Sequence, residues 1–64
     1  MRLSDFWDRM GRQFGPAYAE SWARDVVLAE LGGRSVAQAL AEGEPAKVVW
    51  RAVCQVVDVP AAER

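Results

Sequence analysis

The chain has 64 residues, of which 52% are hydrophobic and 27% are charged, so it has room for one domain with a small core. Its formal net charge of −1 lacks the basic excess that marks most surfaces for nucleic acid or anionic membrane. Histidine is absent and Cys54 is the single cysteine, which excludes an internal disulfide and the usual zinc sites and removes the commonest general base.

The first predicted helix spans residues 4–14, with Ser4 as its N-cap. Apolar residues recur on one helical face of this segment, namely Leu3, Phe6, Trp7, Met10 and Phe14. Two acid–base pairs at i,i+4 spacing are expected on the outer face, Asp5 with Arg9 and Asp8 with Arg12. Gly15 and Pro16 end the helix, because proline disfavours helical geometry in the residue before it.

The second predicted helix spans residues 16–31 and is expected to be the longest and most central. Its main apolar stripe is Tyr18, Trp22, Val26 and Ala29. Leu28 and Leu31 fall on a different side, which indicates neighbouring elements on both sides of the helix end. Gly32 and Gly33 are predicted to end this helix, since glycine adopts left-handed geometry at no side-chain cost.

The third predicted helix is short and spans residues 35–42. Ser35 is its N-cap, and Gln38 stands three residues later, as a capping box requires. Gly43 ends it. The corner that joins it to the fourth helix, residues 45–58, has the outline of a helix-turn-helix motif.

The fourth predicted helix has a buried stripe with helical spacing, consisting of Val49, Trp50, Val53, Val56 and Val57. These valines also favour strands, but their spacing does not alternate, so a helix is the better prediction. Pro60 bars further helix, and residues 61–64 are expected to form a frayed tail.

Together these elements predict an all-α fold, a compact bundle of four helices in a single domain over residues 1–60. The three tryptophans are expected to meet in one core, which we predict to contain Trp7, Trp22, Val26, Leu40, Trp50 and Val53. Among the indoles, Trp50 is the best candidate for partial exposure because it borders Arg51.

No residue pattern predicts catalysis, a cofactor or a metal site. Ser4 and Ser35 are explained as caps, and the glycines end helices without forming a phosphate-binding loop. Cys54 has no neighbouring base that would lower its pKa, so we interpret it as a structural thiol. We therefore expect a non-enzymatic protein that needs no cofactor.

The helix-turn-helix outline supports a DNA-binding hypothesis. Lys47, Arg51 and Gln55 recur at i, i+4 and i+8 on the polar face of the fourth helix, and these residue types contact phosphates and base edges. Glu42 and Glu44 oppose the hypothesis, since they flank the turn and place negative charge beside that face. The alternative is a solvated polar face on a compact helical corner.

Four stretches of the sequence carry a family resemblance over nearly the whole chain, from Met1 to Pro60. They are "MRLSDFW", "FGPAYAESWARD", "ELGGRSVAQALAEG" and "VWRAVCQVVDVP". They resemble DUF3046, a family of short actinobacterial proteins of unknown function. The resemblance implies no catalytic or binding residues. Members of this family are often encoded near the recombinase gene of DNA repair, which implies a link to nucleic acid.

The leading functional hypothesis is a protein–protein interaction or regulatory module that binds an unidentified protein partner through a helical face. The alternative is a minimal DNA-binding domain connected with DNA repair or recombination. We expect a soluble, cytoplasmic protein without membrane contact, because no stretch approaches the roughly 20 apolar residues of a membrane span. A core this small also predicts a monomer or a weak homodimer.

Overall fold

The structure, a computed structural model, describes residues 1–64. It confirms a mostly helical fold with four helices, α1 (Leu3–Phe14), α2 (Pro16–Asp25), α3 (Val36–Ala41) and α4 (Ala46–Val56). A two-stranded antiparallel hairpin lies between α2 and α3 and consists of β1 (Val27–Leu28) and β2 (Arg34–Ser35). Two short 3₁₀ turns complete the fold, Ala29–Leu31 and Ala61–Glu63. None of the helices is long and apolar enough to cross a membrane.

The start of α1 differs from the prediction, because Ser4 is not its N-cap. Arg2 occupies the N-cap position, and its backbone N–H donates to Asp5 Oδ2 at 3.4 Å. A carboxylate in the first turn also interacts favourably with the positive end of the helix dipole. The helix ends at Gly15, whose φ of +89° is rare for other residues, and Pro16 begins α2.

The end of α2 also differs from the prediction, since the helix stops at Asp25 and does not continue to residue 31. Val26 is already extended, and Val27 and Leu28 continue as β1. β-branched residues lose rotamer freedom in a helix, and the extended path allows Leu28 and Leu31 to be buried together. With 12 residues, α1 is the longest helix.

Gly32 and Gly33 turn the chain back on itself; Gly32 ends the 3₁₀ turn Ala29–Leu31 and not, as predicted, the second helix. Both have positive φ, and the Gly33 N–H donates to the Leu28 carbonyl at 3.1 Å. The two strands pair with Val27 opposite Ser35 and Leu28 opposite Arg34. The hairpin thereby delivers Ser35 to the start of α3.

The Ser35 N-cap is confirmed, because its Oγ accepts the Gln38 backbone N–H at 3.1 Å. The capping box is not completed, since the Gln38 side chain accepts no hydrogen bond from the Ser35 backbone N–H; its Nε2 donates to Glu42 Oε2 at 3.0 Å. After six residues α3 ends at Ala41, and Gly43 follows with a φ of +95°.

The core is built from all four helices and the hairpin. Its largest fully buried side chains are Phe6, Met10, Leu28, Val36, Val49, Val53 and Val59. Of the predicted core residues, Trp50 and Val53 are buried. The other four, Trp7, Trp22, Val26 and Leu40, are half-buried and pack against the core.

The face that α2 turns to the core is made of small residues. Ala19 and Ala23 are buried, whereas Tyr18 is 58% exposed. Of the predicted stripe, Trp22 and Val26 pack against the core, whereas Tyr18 and Ala29 are exposed. The small alanine side chains allow α1 and α2 to pack closely, and the aromatic residues of α1 supply the large side chains at this contact.

The three indoles do not meet in one interior. Phe6 lies between Trp7 and Trp50 in edge-to-face contacts, with ring centroids 5.3 and 6.0 Å apart. Phe14 stacks on Trp22 with centroids 4.4 Å apart. Edge-to-face and offset-stacked pairs both stabilise beyond their buried area, so α1 anchors two separate aromatic groups.

Residues 61–64, for which the sequence predicts a frayed tail, form a 3₁₀ turn that α1 holds. Arg9 Nη1 donates to the backbone oxygens of Glu63 and Arg64 at 2.8 and 3.0 Å. Arg12 Nε donates to Glu63 Oε2 at 2.8 Å. The expected pairs of both arginines with the aspartates four residues earlier are absent, because both side chains reach this turn instead.

Candidate functional site

An open groove of about 650 Å³ lies between α1 and α4, and we call it the α1–α4 groove. Its α4 wall consists of Lys47, Trp50, Arg51, Cys54 and Gln55. The rest of its lining consists of Met1, Asp5, Arg9 and Arg64. The groove therefore brings the predicted polar stripe of the fourth helix together with a second set of charged residues from elsewhere in the chain.

Helical spacing explains the α4 wall. Residues four apart share one face of a helix, so Lys47, Arg51 and Gln55 form an exposed stripe along α4. Trp50 and Cys54 follow Lys47 by three and seven residues, and they lie beside the stripe toward the protein interior. The wall thus has a polar outer edge and a mainly apolar floor.

Positive charge is in excess in the α1–α4 groove. Arg9, Lys47, Arg51 and Arg64 line it, against the single carboxylate of Asp5. None of these four cations takes part in the three side-chain ion pairs of the structure. Their charges are therefore available to attract an anionic ligand.

Two of the four cations are held in place by backbone oxygens. Arg9 bonds to the oxygen of Glu63, as described above, and Arg64 Nε donates to the Val59 carbonyl at 2.9 Å. A carbonyl oxygen carries no formal charge, so these bonds position each guanidinium group without neutralising it. The other two, Lys47 and Arg51, are exposed.

Trp50 lines the groove although only 3% of its surface is exposed. The prediction of partial exposure is therefore wrong, because the Phe6 ring packs against the indole. Trp50 Nε1 has no hydrogen-bond partner, and it is the one buried side-chain nitrogen or oxygen in this condition. Buried indole N–H groups usually have a partner, so the fold leaves one donor of a groove-lining residue unsatisfied.

Cys54 is half-buried in the same groove. Burial raises the pKa of its thiol by more than the positive charges of Arg64 and Arg9 lower it. A nucleophilic cysteine needs a lowered pKa, so this thiol is poorly suited to covalent chemistry. No group of three or more acidic, cysteine or histidine side chains is placed to hold a metal ion.

The corner between α3 and α4 is acidic and is fastened by Arg34. Its two terminal nitrogens donate to Glu42 Oε1 at 2.9 Å and to Glu44 Oε2 at 2.6 Å. Its Nε donates to the Leu31 carbonyl at 2.7 Å. The hydrogen bonds from Arg34 and then from Gln38 hold the pKa of Glu42 below its ordinary value. Two carboxylates surround one guanidinium, so the corner keeps a negative charge.

A second groove, of about 720 Å³, lies between α1 and α2, and we call it the α1–α2 groove. It is lined by Trp7, Asp8, Gly11, Arg12, Pro16, Ala19 and Glu20. Its one cation, Arg12, is paired with Glu63. This groove therefore has neither an excess of positive charge nor a buried polar atom without a partner.

Comparison with known proteins places this chain in a family. A family model described as a protein of unknown function, DUF3046, matches residues 1–62. The chain belongs to the DUF3046 family. The match includes all four helices and every residue of the α1–α4 groove except Arg64. Comparison with curated proteins and with solved structures gave no match.

The family assignment confirms the resemblance carried by the four quoted stretches, and it brings no residue roles to the groove. The sequence pattern identifies Lys47, Arg51 and Gln55, which do lie together. It does not identify Arg9 and Arg64, because their approach to α4 depends on tertiary packing. The sequence signal that could have identified Arg9 is its position three residues after the apolar Phe6, which places it at the edge of the buried face of α1.

Proposed function

We propose that this chain is a non-enzymatic interaction module that binds an acidic segment of a protein partner in the α1–α4 groove. The observation that carries the proposal is the charge of the groove, where four cations face one carboxylate in a chain of net charge −1. Opposite charge on a partner would speed encounter and fix its orientation. The groove is open and elongated along α4, as a docked peptide segment requires.

The chemistry of the groove favours binding over catalysis. Its one nucleophile, Cys54, has a raised pKa, and the chain has no histidine to activate it. Asp5 is the only carboxylate in the groove, so a pair of acids for general acid–base catalysis is missing there. What remains is a set of hydrogen-bond donors with positive charge.

DNA binding is the second candidate, and the exposed stripe of Lys47, Arg51 and Gln55 favours it. The surroundings of this stripe favour an acidic peptide instead. Glu30 lies beside Arg51 and Gln55 in a small depression on the other side of the stripe. The corner that precedes α4 is also acidic, whereas in a helix-turn-helix that region approaches the phosphate backbone.

A peptide titration tests the proposal. The ligand is an acetylated, amidated peptide of alternating Glu and Ala, and the control ligand carries Gln at every Glu position. We expect saturable binding of the Glu peptide by the unmodified protein, weakening between about 50 mM and about 200 mM salt because exposed charges are screened. Equal binding of both peptides would contradict a charge-based groove.

A matched pair of charge reversals locates the site. Arg51→Glu changes the groove, whereas Arg24→Glu makes the same change at an exposed position of α2 outside both grooves. We expect Arg51→Glu to weaken binding of the Glu peptide about tenfold and Arg24→Glu to leave it nearly unchanged. Equal weakening by both variants would mean that only net charge matters.

A short DNA duplex, titrated under the same conditions, separates the two candidates. True phosphate contacts make log affinity fall by about 0.9 per contacted phosphate for each unit of log salt. Tight duplex binding that Arg51→Glu abolishes, with no binding of the Glu peptide, would replace the proposed function by DNA binding. Binding of the peptide alone would support the interaction module.

A further inference from the structure

We infer that Trp50 Nε1–H is the buried hydrogen-bond donor with which the α1–α4 groove binds a carboxylate of its partner. This inference rests on the proposed function and names the atom that would recognise the acidic group. Two independent observations lead to it: the excess of cations around the groove and the missing acceptor of a nearly completely buried indole in its wall.

The missing partner must be an acceptor, and no acceptor of the groove, the Gln55 amide oxygen included, bonds to Trp50 Nε1. Its only carboxylate, Asp5, accepts the backbone N–H of Arg2 at the start of α1. The other charged groups of the groove, on arginine and lysine, are donors without acceptor capacity. A buried donor without a partner is costly and calls for an explanation, such as strain, an ordered water or a ligand. An incoming acceptor would satisfy it.

A carboxylate suits the unpartnered Trp50 N–H group better than a neutral acceptor does. It has two oxygens and several lone pairs, so it could accept from Trp50 and from a guanidinium group of the groove at once. Charge-assisted hydrogen bonds are shorter and stronger than neutral ones. In the free protein Nε1 is closed to water, so side chains of the groove lining would have to move aside for the carboxylate to reach it.

The competing explanation is a weak hydrogen bond from the indole to an aromatic face. The Phe6 and Trp50 rings are perpendicular, with an interplanar angle of 89° and centroids 6.0 Å apart. An N–H directed at the Phe6 ring would be partly satisfied, and it would have no need of a ligand. The two explanations predict opposite behaviour of the indole proton.

Nuclear magnetic resonance of the unmodified protein distinguishes them. The three indole N–H resonances are assigned with Trp7→Phe and Trp22→Phe, and the Glu peptide and its Gln counterpart are then added in turn. We expect the Trp50 N–H proton to move downfield with the Glu peptide and to move less with the Gln peptide. A Trp50 resonance that stays upfield and unmoved while the Glu peptide binds would overturn the inference and leave the proposed function standing.

A matched pair of substitutions gives a second measurement. Trp50→Phe removes the donor and keeps an aromatic ring, and Trp7→Phe makes the same change in the α1–α2 groove. We expect Trp50→Phe to weaken binding of the Glu peptide about tenfold, and Trp7→Phe to leave it unchanged. Undiminished binding by folded Trp50→Phe would contradict the inference. If the Glu peptide fails to bind the unmodified protein, the proposed function fails as well. Should Trp50→Phe unfold, the resonance experiment decides.

Discussion

The two grooves that flank α1 have similar volumes, about 650 Å³ and about 720 Å³, but different charge. In the α1–α4 groove, four cations are free of side-chain ion pairs and one indole N–H lacks an acceptor. In the α1–α2 groove, the only cation is already paired. The two grooves therefore differ little in volume, and they differ in whether their charged and polar groups are already paired.

Part of the difference arises within α1, from one repeated pattern. Asp5 and Arg9 are four residues apart, and so are Asp8 and Arg12, but the two arginines have different partners. Arg12 meets the Glu63 carboxylate, which neutralises it, whereas Arg9 meets the Glu63 backbone carbonyl, which carries no formal charge. The packing of the C-terminal turn therefore neutralises Arg12, and it adds to a difference that Lys47 and Arg51 on one side and the carboxylates of Asp8 and Glu20 on the other already create.

The largest expected effect comes from removing the buried ring that Trp7 and Trp50 share, compared with removing a ring of the outer Phe14–Trp22 stack. Phe6 is fully buried between Trp7 and Trp50, while Phe14 is half-buried against Trp22. We expect Phe6→Ala to lower the free energy of unfolding by about 3 to 5 kcal/mol. For Phe14→Ala we expect a loss of about 1 to 2 kcal/mol, since less area is buried.

Chemical denaturation followed by circular dichroism measures both losses. A loss of about 3 kcal/mol is a large part of the stability of so small a domain, so folded and unfolded Phe6→Ala molecules should coexist at room temperature. Equal losses for Phe6→Ala and Phe14→Ala would mean that the α1–α4 contact is no more tightly packed than the outer stack.

The next prediction tests whether positive charge alone enables a groove to bind the Glu peptide. In an Arg51→Glu background, Asp8→Lys and Glu20→Lys together would make the α1–α2 groove positive. Both substituted positions are exposed, so stability should change little. We expect partial recovery of Glu-peptide binding, short of the original affinity by about tenfold, because this groove lacks the buried indole donor. Full recovery would show that charge is sufficient.

The sequence predicts the helices well where local chemistry decides their ends. The Ser35 cap, the Gly15–Pro16 break and the short α3 follow from residues within one turn of each boundary. The main error is the extension of α2 through Val26 and Val27. There, the helical pattern continues for several residues, and the hairpin gains its advantage from burying Leu28 and Leu31, which only the folded chain reveals.

The candidate site is predictable in its α4 half alone. The spacing of Lys47, Arg51 and Gln55 indicates one polar face, and these residues do share a groove. Their partners from α1 and the C-terminal turn depend on packing between segments more than 50 residues apart. The burial of Trp50 is likewise a tertiary effect, because its neighbour Arg51 suggests exposure and Phe6 prevents it.

A smaller effect is expected at acidic pH, where protonation of Glu42 should weaken the corner between α3 and α4. Because α4 forms a wall of the α1–α4 groove and not of the other, only that groove should be affected. Arg34, and then Gln38, lower the pKa of folded Glu42 from its ordinary value of 4.5. The unfolded chain therefore binds the proton more tightly, so this contribution to stability is complete above about pH 4.5 and is lost as the pH falls through the folded pKa.

Unfolding measured between neutral and acidic pH tests this contribution. Glu42→Gln removes the titrating group, so we expect its stability to decline less steeply in acid than that of the unmodified protein. Glu20→Gln is the matched control, since Glu20 takes part in no ion pair, and its curve should run parallel to the unmodified one. A parallel curve for Glu42→Gln would show that the hydrogen bond between Arg34 and Glu42 does not contribute to stability.

The smallest effect uses Cys54 as a reporter that lines the α1–α4 groove and not the other. Burial raises its pKa above the ordinary value of 9.0, and the thiolate is the reacting form. We therefore expect iodoacetamide to modify Cys54 more slowly in the folded protein than in the same chain unfolded in urea, with the midpoint of the pH–rate profile shifted upward.

Added Glu peptide should slow this reaction further in the unmodified protein, because a ligand in the α1–α4 groove would cover the thiol. In the Asp8→Lys, Glu20→Lys, Arg51→Glu variant, the same peptide would occupy the α1–α2 groove and leave the alkylation rate unchanged. The rate therefore reports which groove is occupied, independently of affinity. Protection of Cys54 in that variant would mean that the peptide still binds beside α4, and that the charge of Arg51 does not determine the site.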